Sequence, residues 1–160
     1  MRRLSLALAA LFILAASSQA QAQTINFTAA LSGGNEVPGV STGSVGTGTV
    51  SLNMATQVVT YRIDVYNMPV GTTASHFHVG AAGTNGPVVV NFTVAQGISN
   101  DYAISGTASA ADLTLRQANG IGSWDDFLQA LLLGNIYMNV HSTANPGGEI
   151  RGQLVRQTGF

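Results

Sequence analysis

Gln57-Val58-Val59-Thr60-Tyr61-Arg62-Ile63-Asp64-Val65-Tyr66 alternates apolar and polar residues along its length. Val59, Tyr61, Ile63 and Val65 fall on one face, with Thr60, Arg62 and Asp64 on the other. Strict alternation of β-branched and aromatic residues marks a half-buried strand. Such a strand must bury its apolar face against a second layer. This stretch therefore sets the class: a mainly β domain.

Outward from it, the same period recurs. On the N-terminal side, Thr24 to Leu31 alternates Ile25, Phe27, Ala29 and Leu31 with polar or small residues. Ser44 to Leu52 places Gly46, Gly48, Val50 and Leu52 on one face, and Asn53-Met54-Ala55-Thr56 reads as the hairpin turn. On the C-terminal side, strands are predicted over Thr73 to Val79, Val88 to Val94, Tyr102 to Ala108, Asn135 to His141 and Glu149 to Val155. Asn145-Pro146-Gly147-Gly148 turns between the last two. One stretch keeps a different period. Ser123-Trp124-Asp125-Asp126 has N-cap chemistry, Phe127, Leu128, Leu131 and Leu132 repeat at helical spacing, and Gly134 ends the run. A further short turn is expected near Ser109 to Leu115. Seven or eight strands with one or two short helices in a crossover predict a Greek-key β-sandwich.

The N-terminus reads as a processing signal. Arg2 and Arg3 precede an apolar run from Leu4 to Ala16, and Ala20-Gln21-Ala22 supplies the small-x-small cleavage pattern, with Ser18-Gln19-Ala20 as a second candidate. The run is shorter than the ~20 residues a membrane span needs. Residues 1–22 are thus expected to be a signal peptide and residues 23–160 a single exported domain, periplasmic or secreted, with no membrane span after cleavage. Removing Arg2 and Arg3 leaves four arginines against seven acids, a net charge of −3, and the chain has no lysine. A nucleic-acid binder would show a basic stripe, and none exists. With no cysteine, disulfides, thiol nucleophiles and cysteine metal sites are excluded.

The chain has three histidines. His76 and His78 flank Phe77 in one predicted strand, so their side chains share a face roughly 6.6 Å apart. His141 lies in another. A His-x-His pair plus one more imidazole is the pattern of a three-nitrogen metal site. The competing reading is polar residues held by hydrogen bonds at a sheet rim. Copper is favoured over zinc, because neutral nitrogen donors without thiolate suit Cu(II) and the Irving–Williams order ranks it first. Such a site is expected to weaken below about pH 6, where free imidazoles protonate. Glu149 and Glu36 are auxiliary candidates, as a fourth ligand or as acceptors for a histidine N–H. The alternative for either is a structural ion pair, for example with Arg151. Asn35 and Asn139 are candidates for holding turns or orienting a histidine. Asp101, Asp112, Asp125 and Asp126 do not have calcium-loop spacing, and neither a nucleophile elbow nor a phosphate loop is present.

Three longer stretches carry a family resemblance. Phe27-Thr28-Ala29-Ala30-Leu31-Ser32-Gly33-Gly34-Asn35-Glu36-Val37-Pro38 opens the domain. Ser75-His76-Phe77-His78-Val79-Gly80, followed by Gly83-Thr84-Asn85-Gly86-Pro87-Val88, lies in the middle. Tyr137-Met138-Asn139-Val140-His141-Ser142, followed by Pro146-Gly147-Gly148-Glu149-Ile150-Arg151-Gly152-Gln153-Leu154, closes it. In order and spacing these resemble the chordin-domain family, written CHRD. The resemblance implies a stand-alone exported module of the bacterial type. In animals the domain recurs in chordin, a secreted antagonist of bone morphogenetic proteins.

A weaker similarity is to the copper/zinc superoxide dismutase sandwich. There, copper is held by a His-x-His strand pair, a later bridging histidine and a further histidine near the C-terminal end. His76, His78 and His141 match the pair and the last ligand. The chain departs in lacking a bridging fourth histidine, a zinc-ligand cluster in the Gly80 to Pro87 loop and the structural disulfide. Arg151 is the one candidate for that family's rim arginine. Dismutase activity is therefore not carried over. The function expected is a metal-binding exported protein, copper favoured, with no catalytic residue assigned. The alternative is a non-catalytic envelope or extracellular interaction module, with an unidentified protein partner and structural histidines.

Overall fold

A computed structural model describes residues 23–158; the expected signal peptide lies outside them. Nine antiparallel strands follow in the order β1 (Thr24–Ser32), β2 (Val45–Asn53), β3 (Val59–Met68), β4 (Thr72–Val79), β5 (Val88–Asn91), β6 (Asn100–Ala108), β7 (Ile136–Ser142), β8 (Ile150–Gln153) and β9 (Val155–Arg156). Among the described residues a single α-helix, α1 (Trp124–Leu132), stands between β6 and β7. The spatial order is β5-β4-β7-β8-β1-β2-β3-β6, with β9 beside β1. The pairs β3–β6, β4–β7 and β8–β1 join strands that are not consecutive in the chain. The predicted mainly β architecture is thus present, as an antiparallel sheet nearly closed into a barrel-like sandwich.

The physical reason for closure is the alternation itself. β1, β2 and β3 bury every second residue, and those faces meet the opposite half of the sheet. Gly46 and Gly48 leave room for side chains from across the core. A Cβ at Gly48 would lie 2.4 Å from Sδ of Met138, and one at Gly46 3.3 Å from Cδ1 of Ile150. Tyr61 stacks on Phe92 at 3.9 Å and meets Phe77 edge-on at 5.7 Å, while Phe77 also contacts Phe127 of α1. These aromatic contacts tie the helix to the interior of both halves.

Helix α1 begins and ends where its chemistry dictates. The Ser123 hydroxyl accepts the Asp126 N–H, Asp125 and Asp126 sit in the first turn, and Gly134 takes φ 75° just beyond the end. Trp124 donates its indole N–H to the Gln57 carbonyl. The segment expected to be one strand from Glu149 to Val155 is divided. Leu154 turns its N–H to the Ile136 carbonyl, and the chain then leaves β7 to pair with β1 as β9. The resulting ninth strand exceeds the expected seven or eight.

Strand β7 differs from the rest: all seven of its residues are buried. Its inner face carries Ile136, Met138 and Val140. Its outer face carries Tyr137, Asn139 and His141, so loops must cover them. Buried polar groups need partners, and those partners build the site.

Candidate metal centre

Register places the histidines. β4 pairs with β7 so that His78 lies opposite Tyr137, His76 opposite Asn139 and Ala74 opposite His141, with a bulge only beyond Ala74. His141 is thereby the diagonal neighbour of His76 on the same outer face. The three imidazoles converge, with one nitrogen from each within 4.8 Å of the others. Nδ1 of His76 is 3.1 Å from Nε2 of His141. A metal bonded at about 2.0 Å to each nitrogen holds its donors about 3 to 4 Å apart, so small ring rotations close such a site.

Backbone carbonyls orient two of the rings. His78 donates Nδ1–H to the Gly86 carbonyl at 2.9 Å, and His141 donates Nδ1–H to the Pro146 carbonyl at 2.9 Å. Each bond leaves an Nε2 lone pair directed at the cluster, the arrangement that fixes a ligand tautomer. His78 is 9 % exposed, and its Nε2 is buried with no hydrogen-bond partner. A buried polar atom without a partner calls for an explanation, such as an ordered water or a bound ion. Without a metal, Nδ1–H of His76 donates to Nε2 of His141 and spans the gap a cation would fill.

The site disfavours protons. Burial, then the neighbouring His141 and His78, lowers His76 to about 4. Burial lowers His78 to about 4 as well, against the pull of the Gly86 carbonyl, with smaller contributions from the neighbouring His141 and Arg151. Burial also lowers His141, against the pull of the Pro146 carbonyl. All three are neutral at pH 7, as metal ligands must be.

Neither auxiliary carboxylate joins the cluster. Glu149 is fully buried and receives hydrogen bonds from Thr42, from Ser44 at 3.2 Å, from Ser142 at 2.7 Å and from Asn145 at 2.5 Å. Burial alone would raise its carboxyl, but these four donors hold it below the usual range. It pins the loop after β1 to the loop after β7. Glu36 accepts from Asn139 at 2.5 Å and pairs with Nε of Arg151 at 3.4 Å. Burial outweighs those contacts and raises its carboxyl. Asn35 donates to the carbonyls of Ala30 and Arg151 and so holds a turn. Asn139 orients Glu36 rather than a histidine.

Arg151 is 5 % exposed, and both terminal nitrogens of its guanidinium are hydrogen-bonded, while Nε has only the Glu36 ion pair. It donates to the Thr84 carbonyl at 2.9 Å and to the Asn85 side chain, and its guanidinium lies 4.3 Å from the Tyr137 ring centroid. It is no free cation at a rim. Tyr137, which sequence reading did not single out, lies parallel to His78, with centroids 4.8 Å apart and planes 8° apart. Its hydroxyl accepts the Gly86 N–H at 3.1 Å, at the residue whose carbonyl holds His78. The signal available in the sequence was an aromatic residue on the polar face of a strand that also carries Asn139 and His141.

Comparison with protein families gives a match to the CHRD domain over residues 27–154, from β1 through the end of β8. No curated protein and no solved structure gives a significant match.

Proposed function

The chain belongs to the CHRD domain family, and we propose that it is an exported member that binds a single copper ion through His76, His78 and His141. The observation that carries this reading is the convergence of three imidazole nitrogens around the buried, unpartnered Nε2 of His78. Imidazole nitrogens are donors that suit copper. Burial keeps the imidazoles unprotonated below the pH 6 threshold expected for free histidines. The N-terminal pattern of Arg2, Arg3 and Ala20-Gln21-Ala22 supports export to the periplasm or beyond. The role that fits is sequestration or delivery of the metal, with no reaction assigned. Titration of metal-free protein with copper, read by absorption and spin resonance, should reach one ion per chain. Unaltered uptake in a His76→Ala, His78→Ala double variant would sink the reading.

A second reading is a non-catalytic interaction module of the cell envelope or matrix. It is favoured by a cleft of about 490 Å³ beside the opening motif, lined by Asn35, Glu36, Arg151 and Gln153 among others. Surface loops on a rigid sandwich commonly hold partners. A chelator-insensitive partner, with no metal in protein purified from its native compartment, would favour it over copper binding.

A further inference from the structure

We infer that the three-histidine centre is built for the cuprous ion, and that Arg151, acting through Tyr137, biases it toward Cu(I) over Cu(II). This rests on the copper reading above and deepens it.

The first argument is donor number. Three nitrogens converge on one face of β4 and β7. Cu(II) favours a tetragonal shell of four or more donors, whereas the closed-shell Cu(I) ion is satisfied by two or three. The buried carboxylates that might complete a Cu(II) shell are committed elsewhere, Glu149 to four donors and Glu36 to Asn139 and Arg151. Freeing either would strand buried donors, which is costly.

The second argument is charge. All three ligands are neutral, so Cu(II) would bring two positive charges into the site and Cu(I) one. The cost of burying an ion grows steeply with its charge, and His78 and His141 are both almost inaccessible. Arg151 adds a fixed cation. The strand order β4-β7-β8 sets Tyr137 between His78 and Arg151, stacked on one and covered by the other. Repulsion from that guanidinium acts on a doubly charged ion twice as strongly as on a singly charged one. Glu36 offsets part of it, so Arg151 is a positioning and tuning residue whose effect is a few-fold.

The test measures both affinities on purified protein. Cu(I) is competed anaerobically against bathocuproine disulfonate, and Cu(II) against a chromophoric Cu(II) chelator. Cu(I) should bind at least tenfold tighter, which places the bound couple about 59 mV or more above the aqueous copper couple. Arg151→Gln should narrow the preference about threefold relative to Arg151→Lys. Both variants lose the guanidinium fork to Thr84 and Asn85, so charge is what separates them. Glu36→Gln should move the preference the other way. Equal or tighter binding of Cu(II) by the unaltered protein would overturn the inference and leave the copper reading standing. Uptake of neither ion would overturn both. Identical ratios in the two Arg151 variants would remove Arg151 from the account, and if either variant fails to fold, the ratio in the unaltered protein still decides the cuprous preference.

Discussion

Tyr137 and His78, directly paired across β7 and β4, lie with their rings parallel and 4.8 Å apart, and the Tyr137 hydroxyl bonds to Gly86, the residue that holds His78 Nδ1. One aromatic side chain thereby fixes both the face of the imidazole and the loop that sets its tautomer. Tyr137→Leu should retain the fold's register yet weaken copper binding, by an amount on the order of the 10- to 100-fold cost of losing a supporting group around a ligand. Competitive titration checks this, and Tyr137→Phe, which keeps the stack, should lose less.

Gly86 itself has no room for a side chain. A Cβ there would lie 1.6 Å from the Val79 carbonyl oxygen, a backbone atom that cannot rotate away. Gly86→Ala should displace the loop from β4, lower the melting temperature and weaken metal uptake together. A variant with unchanged uptake would show that the Gly86 carbonyl does not orient His78.

Glu149→Ala should be among the most damaging single changes on the outer face. It strands four side-chain donors, at least two of them buried, for a cost of about 3 kcal/mol or more. Glu149→Gln should destabilise less. Both should still bind one copper ion at neutral pH once folded, because Glu149 is not in the histidine cluster. Denaturant unfolding and metal stoichiometry separate the two effects.

The metal-free protein should lose stability on acidification between about pH 6.5 and 4. Burial lowers His76 and His78 to about 4 in the folded chain, while the unfolded chain protonates them near 6.5. Through that window the unfolded state binds more protons, so unfolding gains as pH falls, and the full stability is present only above it. Denaturant midpoints at pH 7.5 and pH 5 should differ in that sense, and by less in a His76→Gln, His78→Gln variant.

Copper-loaded protein should consume superoxide no faster than free copper in the same chelating buffer. Fast capture of an anion needs a positive approach path. The chain has only six arginines, no lysine and a net negative charge. Arg151, the candidate rim cation, is buried and held by Thr84, Asn85 and Glu36. A rate near the diffusion ceiling of roughly 10⁹ M⁻¹s⁻¹ would overturn this.

The alternation of Val59, Tyr61, Ile63 and Val65, the capped helix from Ser123 to Gly134 and the His76–His78 pair were all legible from the sequence. Each is local: a period of two or 3.6 assigns residues to faces without reference to the rest of the chain. The joining of His141 to that pair was legible only as a candidate. It depends on β4 and β7 pairing across more than sixty residues, in the register that sets His76 opposite Asn139 and so makes His141 its diagonal neighbour. The fates of Glu36 and Glu149 belong wholly to tertiary structure. A carboxylate in a glycine-rich loop is equally suited to a metal, an arginine or a set of hydroxyls. Which it takes is decided by the groups left unsatisfied when loops close over the fully buried strand β7, because each buried donor must find an acceptor and these carboxylates meet that need.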